Sequence, residues 1–136
     1  MKVVIDTNVI LSAAMRGGLP QRLIDRVVSD ADLQWVAVPE LVDEYLDILR
    51  RPRFLIVEAK RERWIKLILR ETMVDLPDIP EVLFPRDPND AKVLAAALAW
   101  NADYLVTGDR DFADAPDLGA TRIVTPREFA DVLGIE

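Results

Sequence analysis

The sequence predicts an α/β fold, a three-layer α/β/α sandwich around a central, mainly parallel sheet, in one domain over residues 1–136. Three observations predict it. Short apolar runs, rich in β-branched residues, end abruptly in turn or helix-start residues. Stretches with helical spacing of apolar residues lie between them, several opening on proline, whose fixed φ and missing N–H suit a first turn. With 51% hydrophobic and 30% charged residues, the chain can bury an ordinary core beneath a solvated surface, which disordered and low-complexity chains cannot.

Each element follows from local pattern. Val3-Val4-Ile5, closed by Asp6, is the first buried strand, and Val9-Ile10-Leu11 can begin a helix. A second helix runs from Pro20 to about Asp30. Val36-Ala37-Val38 is the second strand, stopped by Pro39, which opens a helix to about Arg51. The next helix spans Val57 to about Thr72, and Met73-Val74-Asp75-Leu76 is a further strand candidate. Pro88 opens a helix to about Ala102, followed by the strand Tyr104-Leu105-Val106-Thr107 before Gly108. Arg122-Ile123-Val124 is the last strand, and Pro126 to about Leu133 the last helix. In sheets built this way the functional crevice lies beyond the C-terminal ends of the strands.

Missing residue types narrow the chemistry. With no cysteine there are no disulfides, thiolate nucleophiles or cysteine-ligated metals. With no histidine there is no imidazole base and no His-rich zinc site. Carboxylates must carry any hydrolysis, and their oxygens suit Mg²⁺ or Mn²⁺. No apolar stretch is long enough to span a membrane, and the N-terminus enters a strand pattern at once, so no signal peptide and a cytoplasmic location are expected.

The net charge is −7, yet residues 50–70 hold eight cations against Glu58 and Glu62, a segment of +6 that leaves −13 on the rest. Arg63, Lys66 and Arg70 fall on one helical stripe, with Trp64, Ile65, Ile68 and Leu69 opposite. The stripe is either a merely solvated helix face or a contact for an RNA backbone.

The acidic residues cluster where strands end and helices start. Asp6, followed by Thr7 and Asn8, is placed either to cap the next helix or to put a charge at a buried strand mouth. Glu44 has Leu41 at i−3 and Ile48 at i+4, so it lies beside the apolar stripe, while Glu40, Asp43 and Asp47 fall on the solvated side. In Asp87-Pro88-Asn89-Asp90, Asp87 fits an N-cap and Asp90 a ligand at the mouth of a nearly all-apolar helix. Asp109 and Asp111 flank Arg110 after Gly108, in a turn that either shares an ion between them or caps a short helix. Four such clusters repel one another unless a cation neutralises them, and a divalent ion held there supports phosphodiester hydrolysis without histidine.

In their order and spacing these elements resemble the PIN domain, and within it the VapC-like toxins of toxin–antitoxin pairs. The resemblance rests on Val3-Val4-Ile5-Asp6-Thr7-Asn8, Glu44-Tyr45-Leu46 followed by Arg51-Pro52, Asp87-Pro88-Asn89-Asp90, and Tyr104 through Phe112. It implies a Mg²⁺- or Mn²⁺-dependent ribonuclease in which Asp6, Glu44, Asp90 and Asp109 form the catalytic and metal-binding quartet. Asp111 matches an accessory metal position, Asp87 a supporting one, and Thr7 and Asn8 match polar residues that support the first aspartate.

A toxin implies a cognate antitoxin as partner beside the RNA substrate. Arg16-Gly17-Gly18 is expected to form a flexible loop near the strand ends, serving as a lid or an antitoxin contact. The Ala-rich helix after Asp90 is apolar nearly all round, so it is either central or part of an interface, and a homodimer is expected. Two other readings stay open. One is a non-catalytic module of the same fold that binds RNA or protein. The other is an aspartyl-nucleophile phosphatase, against which Asn8 stands where such enzymes place a second aspartate.

Overall fold

Lys2–Ile5 forms β1, the centre of a four-stranded sheet in the order β2-β1-β3-β4, with β2 at Gln34–Trp35, β3 at Tyr104–Val106 and β4 at Arg122–Val124. The structure, a computed structural model, describes residues 1–76, 91–108 and 118–135. Among the described residues every strand pairing is parallel: Val3 lies opposite Trp35 on one side and Tyr104 on the other, and Val106 opposite Val124. The predicted α/β architecture with a parallel sheet is the observed one.

Six α-helices accompany the sheet among the described residues: α1 (Thr7–Arg16), α2 (Gly18–Ser29), α3 (Pro39–Arg50), α4 (Glu58–Glu71), α5 (Ala91–Trp100) and α6 (Pro126–Leu133). The crossover from β1 to β2 moves one way along the sheet, and that from β2 to β3 moves the other way. Right-handed connections therefore place α2 and α5, the helices of these two crossovers that pack on the strands, on opposite faces. The contacts agree, since α2 packs on β2 and α6, whereas α5 packs on β1, β3 and α3, while α1 packs on α2 and also on α3 and α4. One continuous core joins these layers, with Val3, Val4, Leu41, Tyr45, Leu94, Ala96 and Leu105 fully buried in it.

Local patterns explain most boundaries. Proline opens α3 and α6 at their first turns, and α6 carries a full capping box between Thr125 and Glu128 before Gly134 ends it. The helix after Asp90 is apolar nearly all round, and Val93, Leu94, Ala96 and Ala97 are fully buried within the chain, while Leu98 is exposed.

Three local expectations are corrected. The second strand is Gln34–Trp35 rather than Val36-Ala37-Val38. Those three valine and alanine residues are buried, but only Val36 makes a bridge, to Met73, before the chain turns into α3. Ladder register is set by the neighbouring strand rather than by β-branching alone. Arg16-Gly17-Gly18 is no loop, because α1 ends at Arg16 and α2 begins at Gly18, with Gly17 at φ 69° making a sharp corner. Leu69 is 59% exposed, while Trp64, Ile65 and Ile68 face the core.

No helix of the described residues is long and apolar enough to cross a membrane.

Candidate functional site

The sheet reverses its direction of travel between β1 and β3, and in open parallel sheets that point leaves a crevice at the carboxyl ends of the two strands. Asp6 follows β1 there and Thr107 follows β3. Main-chain bonds continue the ladder one residue past the strands, Asp6 N–H donating to the Val106 carbonyl at 2.9 Å and Thr107 N–H to the Val124 carbonyl at 2.9 Å. The backbone at both residues is thus positioned by the sheet itself.

Asp6 occupies the N-cap position of α1, but its carboxylate makes no capping hydrogen bond. It accepts instead from Thr107 Oγ1, which donates to Asp6 Oδ2 at 2.7 Å. The capping alternative for Asp6 therefore fails on geometry. The carboxylate is 3% exposed, and with Thr7 and Thr107 it completes the set of buried side chains, among the described residues, that are neither hydrophobic nor aromatic. All three meet at one strand-end junction. A buried carboxylate is costly without polar partners, so this concentration marks the place where the fold spends stability on polar chemistry.

Glu44 comes to the same place from α3. Its helix buries Leu41, Tyr45 and Leu49, which turns the adjacent Glu44 toward the first turn of α1, where Thr7 Oγ1 donates to Glu44 Oε2 at 2.5 Å. The buried Tyr45 hydroxyl donates to the Ile5 carbonyl and so ties α3 to the last residue of β1. The other Glu44 oxygen, Oε1, faces Lys92 Nζ at 3.9 Å, with the two side chains 19% and 34% exposed. That separation is the long end of an ion pair.

These groups line a cleft of about 410 Å³ that also takes in Asn8, Glu40, Asp43, Asp47 and Arg51. Among the described residues, five carboxylates face it against two cations, one of which, Arg51, is held by Asp47 at 2.9 Å. Glu40, Asp43 and Asp47 are exposed, as their solvated-face placement required, yet they form the rim of this cleft.

Asp6, Thr7, Asn8 and Glu44 are thus brought together as the sequence suggested. Asp87, Asp90, Asp109 and Asp111 lie outside the described residues. Arg63, Lys66 and Arg70 line a different groove, against α2. Two residues escaped the sequence reading, Thr107 and Lys92. Lys92 carried a signal, being the one charge in Ala91–Trp100. Thr107 carried its position between a strand and Gly108.

The donor set suits a hard cation. Among the described residues, the side-chain donors at the centre of the cleft are oxygens, two of them carboxylates whose orientation is held by threonine hydroxyls. Among the described residues, no three carboxylates stand close enough to hold an ion by themselves.

A family model described as PIN domain matches residues 2–111. An uncharacterized protein of Methanocaldococcus jannaschii, MJ1680, is 25% identical to this chain over 142 aligned positions, which cover 96% of the chain and 90% of that protein.

Proposed function

The chain belongs to the PIN-domain family, and from that premise we propose that it is a metal-dependent endoribonuclease, the toxin of a toxin–antitoxin pair, hydrolysing RNA phosphodiester bonds with Mg²⁺ or Mn²⁺. PIN domains are generally metal-dependent nucleases. The observation that carries the reading is the buried Asp6 carboxylate, turned away from its capping role and held by Thr107 in the cleft that receives Glu44.

Asp6 and Glu44 would hold the cation, joined by Asp90, Asp109 and Asp111 through the family resemblance. When bound, such an ion activates water for attack on phosphorus and offsets the charge on the departing oxygen. The protein's own groups do the rest. Thr107 and Thr7 fix the two carboxylates, so little reorganisation is left for the moment of reaction. Lys92, at the cleft wall, presents an ammonium to a phosphate oxygen of the substrate. Single-stranded or looped RNA suits so small a cleft, because unstacked nucleotides can enter where an A-form helix cannot. A cognate antitoxin and a homodimeric assembly belong to the same proposal.

Cleavage of total RNA by the purified protein with Mn²⁺, against chelator and against Asp6→Asn, tests the reading. Metal-dependent cutting that disappears in Asp6→Asn is expected. Cutting that persists in the variant would overturn the site assignment, and no cutting by either protein would favour the binding-only module. The toxin role has its own test, growth arrest on expression that is relieved by the product of an adjacent small reading frame.

A further inference from the structure

The acid cleft leaves unused most of the basic segment of the chain, residues 50–70. Lys60, Arg63, Lys66 and Arg70 line a second groove of about 410 Å³, between α2 and α4, that shares no residue with the cleft. Trp64 and Leu67 line it from α4, and Gln21 and Asp25 from α2. The four cations sit at i, i+3, i+6 and i+10, which spreads them over about 15 Å of one helix flank.

Among the described residues, most of their charge is left without an ion-pair partner. Arg70 Nε pairs with Glu71 at 2.9 Å, but among the described residues Lys60, Arg63 and Lys66 make no ion pair and Asp25 is the one carboxylate lining the groove. Like charges this close on one helix repel by a few tenths of a kcal/mol per pair. A purely solvated face would relieve that by interleaving acids, as the exposed Asp47–Arg51 pair on α3 does. Here the acids of the segment, Glu58 and Glu62, do not line the groove.

The surrounding charge gives the groove its purpose. Outside residues 50–70 the chain carries −13, and its cleft is rimmed by carboxylates, so the bulk of the protein repels a polyanion. A nuclease built this way needs a local cationic foothold. We propose that the groove between α2 and α4 binds the phosphate backbone of the RNA substrate, with Lys60, Arg63 and Lys66 contacting phosphates and Trp64 and Leu67 forming an apolar floor. This rests on the ribonuclease reading, and it adds a substrate-holding site away from the carboxylates.

The test is binding of a fluorescein-labelled oligouridylate to the whole protein in chelator, followed by anisotropy across a series of KCl concentrations. Each phosphate contact contributes about 0.7 to the magnitude of the log–log salt slope for single strands, so Arg63→Gln with Lys66→Gln is expected to flatten it by about 1.4. Arg63→Glu with Lys66→Glu should weaken binding further, while circular dichroism melts of both double variants stay near wild type. An unchanged slope in the Gln pair overturns the proposal, as does tighter binding of polyglutamate than of the RNA, which would assign the groove to an acidic protein. The two readings fail separately. Mn²⁺-dependent cutting by the wild type with an unchanged slope retires the groove alone, and a flattened slope without any cutting retires the nuclease alone.

Discussion

Thr107 Oγ1 donates to Asp6 Oδ2 at 2.7 Å, a bond between residues 101 apart in sequence that closes the junction between the ends of β1 and β3. Both groups are buried, so water cannot replace a lost donor. Thr107→Val keeps the side-chain shape and removes the hydroxyl. It should cost about 1.5–3 kcal/mol in urea unfolding, the range for a hydrogen bond to a charged group. Mn²⁺ affinity, measured by titration calorimetry, should fall by about 10- to 100-fold, as for other residues that orient a ligand. Thr107→Ser should restore most of both, and a Val variant with wild-type metal affinity would remove Thr107 from the site.

Glu44 is held at both oxygens, by Thr7 on one and Lys92 on the other. A cation entering the cleft competes with the Lys92 ammonium for the same carboxylate. Lys92→Met should therefore bind Mn²⁺ more tightly, by up to about fivefold, which corresponds to the ~1 kcal/mol ceiling for a partly exposed ion pair. Its RNA cleavage at saturating metal should nonetheless fall, because the phosphate loses an ammonium. Weaker or unchanged Mn²⁺ binding would show that Lys92 does not oppose the cation.

What the sequence made legible was what local pattern determines. The last helix is bounded by its own cap, Pro126, Glu128 and Gly134, and it forms where those residues place it. Asp6 and Glu44 could be found because each sits at a position where burial and charge conflict, one closing a β-branched run and the other beside an apolar stripe. Register was not legible, since Gln34 and Trp35 enter the ladder through Lys2 and Val3 rather than through their own β-propensity. Thr107 and Lys92 were missed because their roles exist only through partners on distant segments, Asp6 and Glu44.

The corner between α1 and α2 misled for a different reason, since two adjacent glycines signal a loop as readily as a sharp turn. Gly17 has φ 69° and ψ −123°, and a Cβ there would stand 2.9 Å from Gln21 Oε1. Gly18 also has positive φ, 62°, but a Cβ on it would meet nothing within 4 Å. Gly17→Ala should lower stability by about 1–3 kcal/mol, and Gly18→Ala by less, both at unchanged m in urea. Equal losses would mean that the Gln21 contact adds nothing to the backbone strain.

Tyr45 joins the fold to the site, its buried hydroxyl donating to the carbonyl of Ile5, the residue before Asp6. Burial holds its phenol well above the ordinary value of 10.0, and the nearby Asp6 and Glu44 carboxylates push the same way. Above about pH 10 the unfolded chain releases this proton while the folded chain keeps it, so stability falls as pH rises. Below that value Tyr45 is protonated in both states and contributes no slope. The loss should approach ~1.4 kcal/mol per pH unit for this single group. Tyr45→Phe should be less stable at neutral pH by about 0.5–1.5 kcal/mol through the lost hydrogen bond, and its stability should decline less steeply above pH 10. Urea unfolding of both proteins from pH 8 to 11 separates the two effects, and parallel curves would mean that the phenol ionises as readily in the folded chain as in the unfolded one.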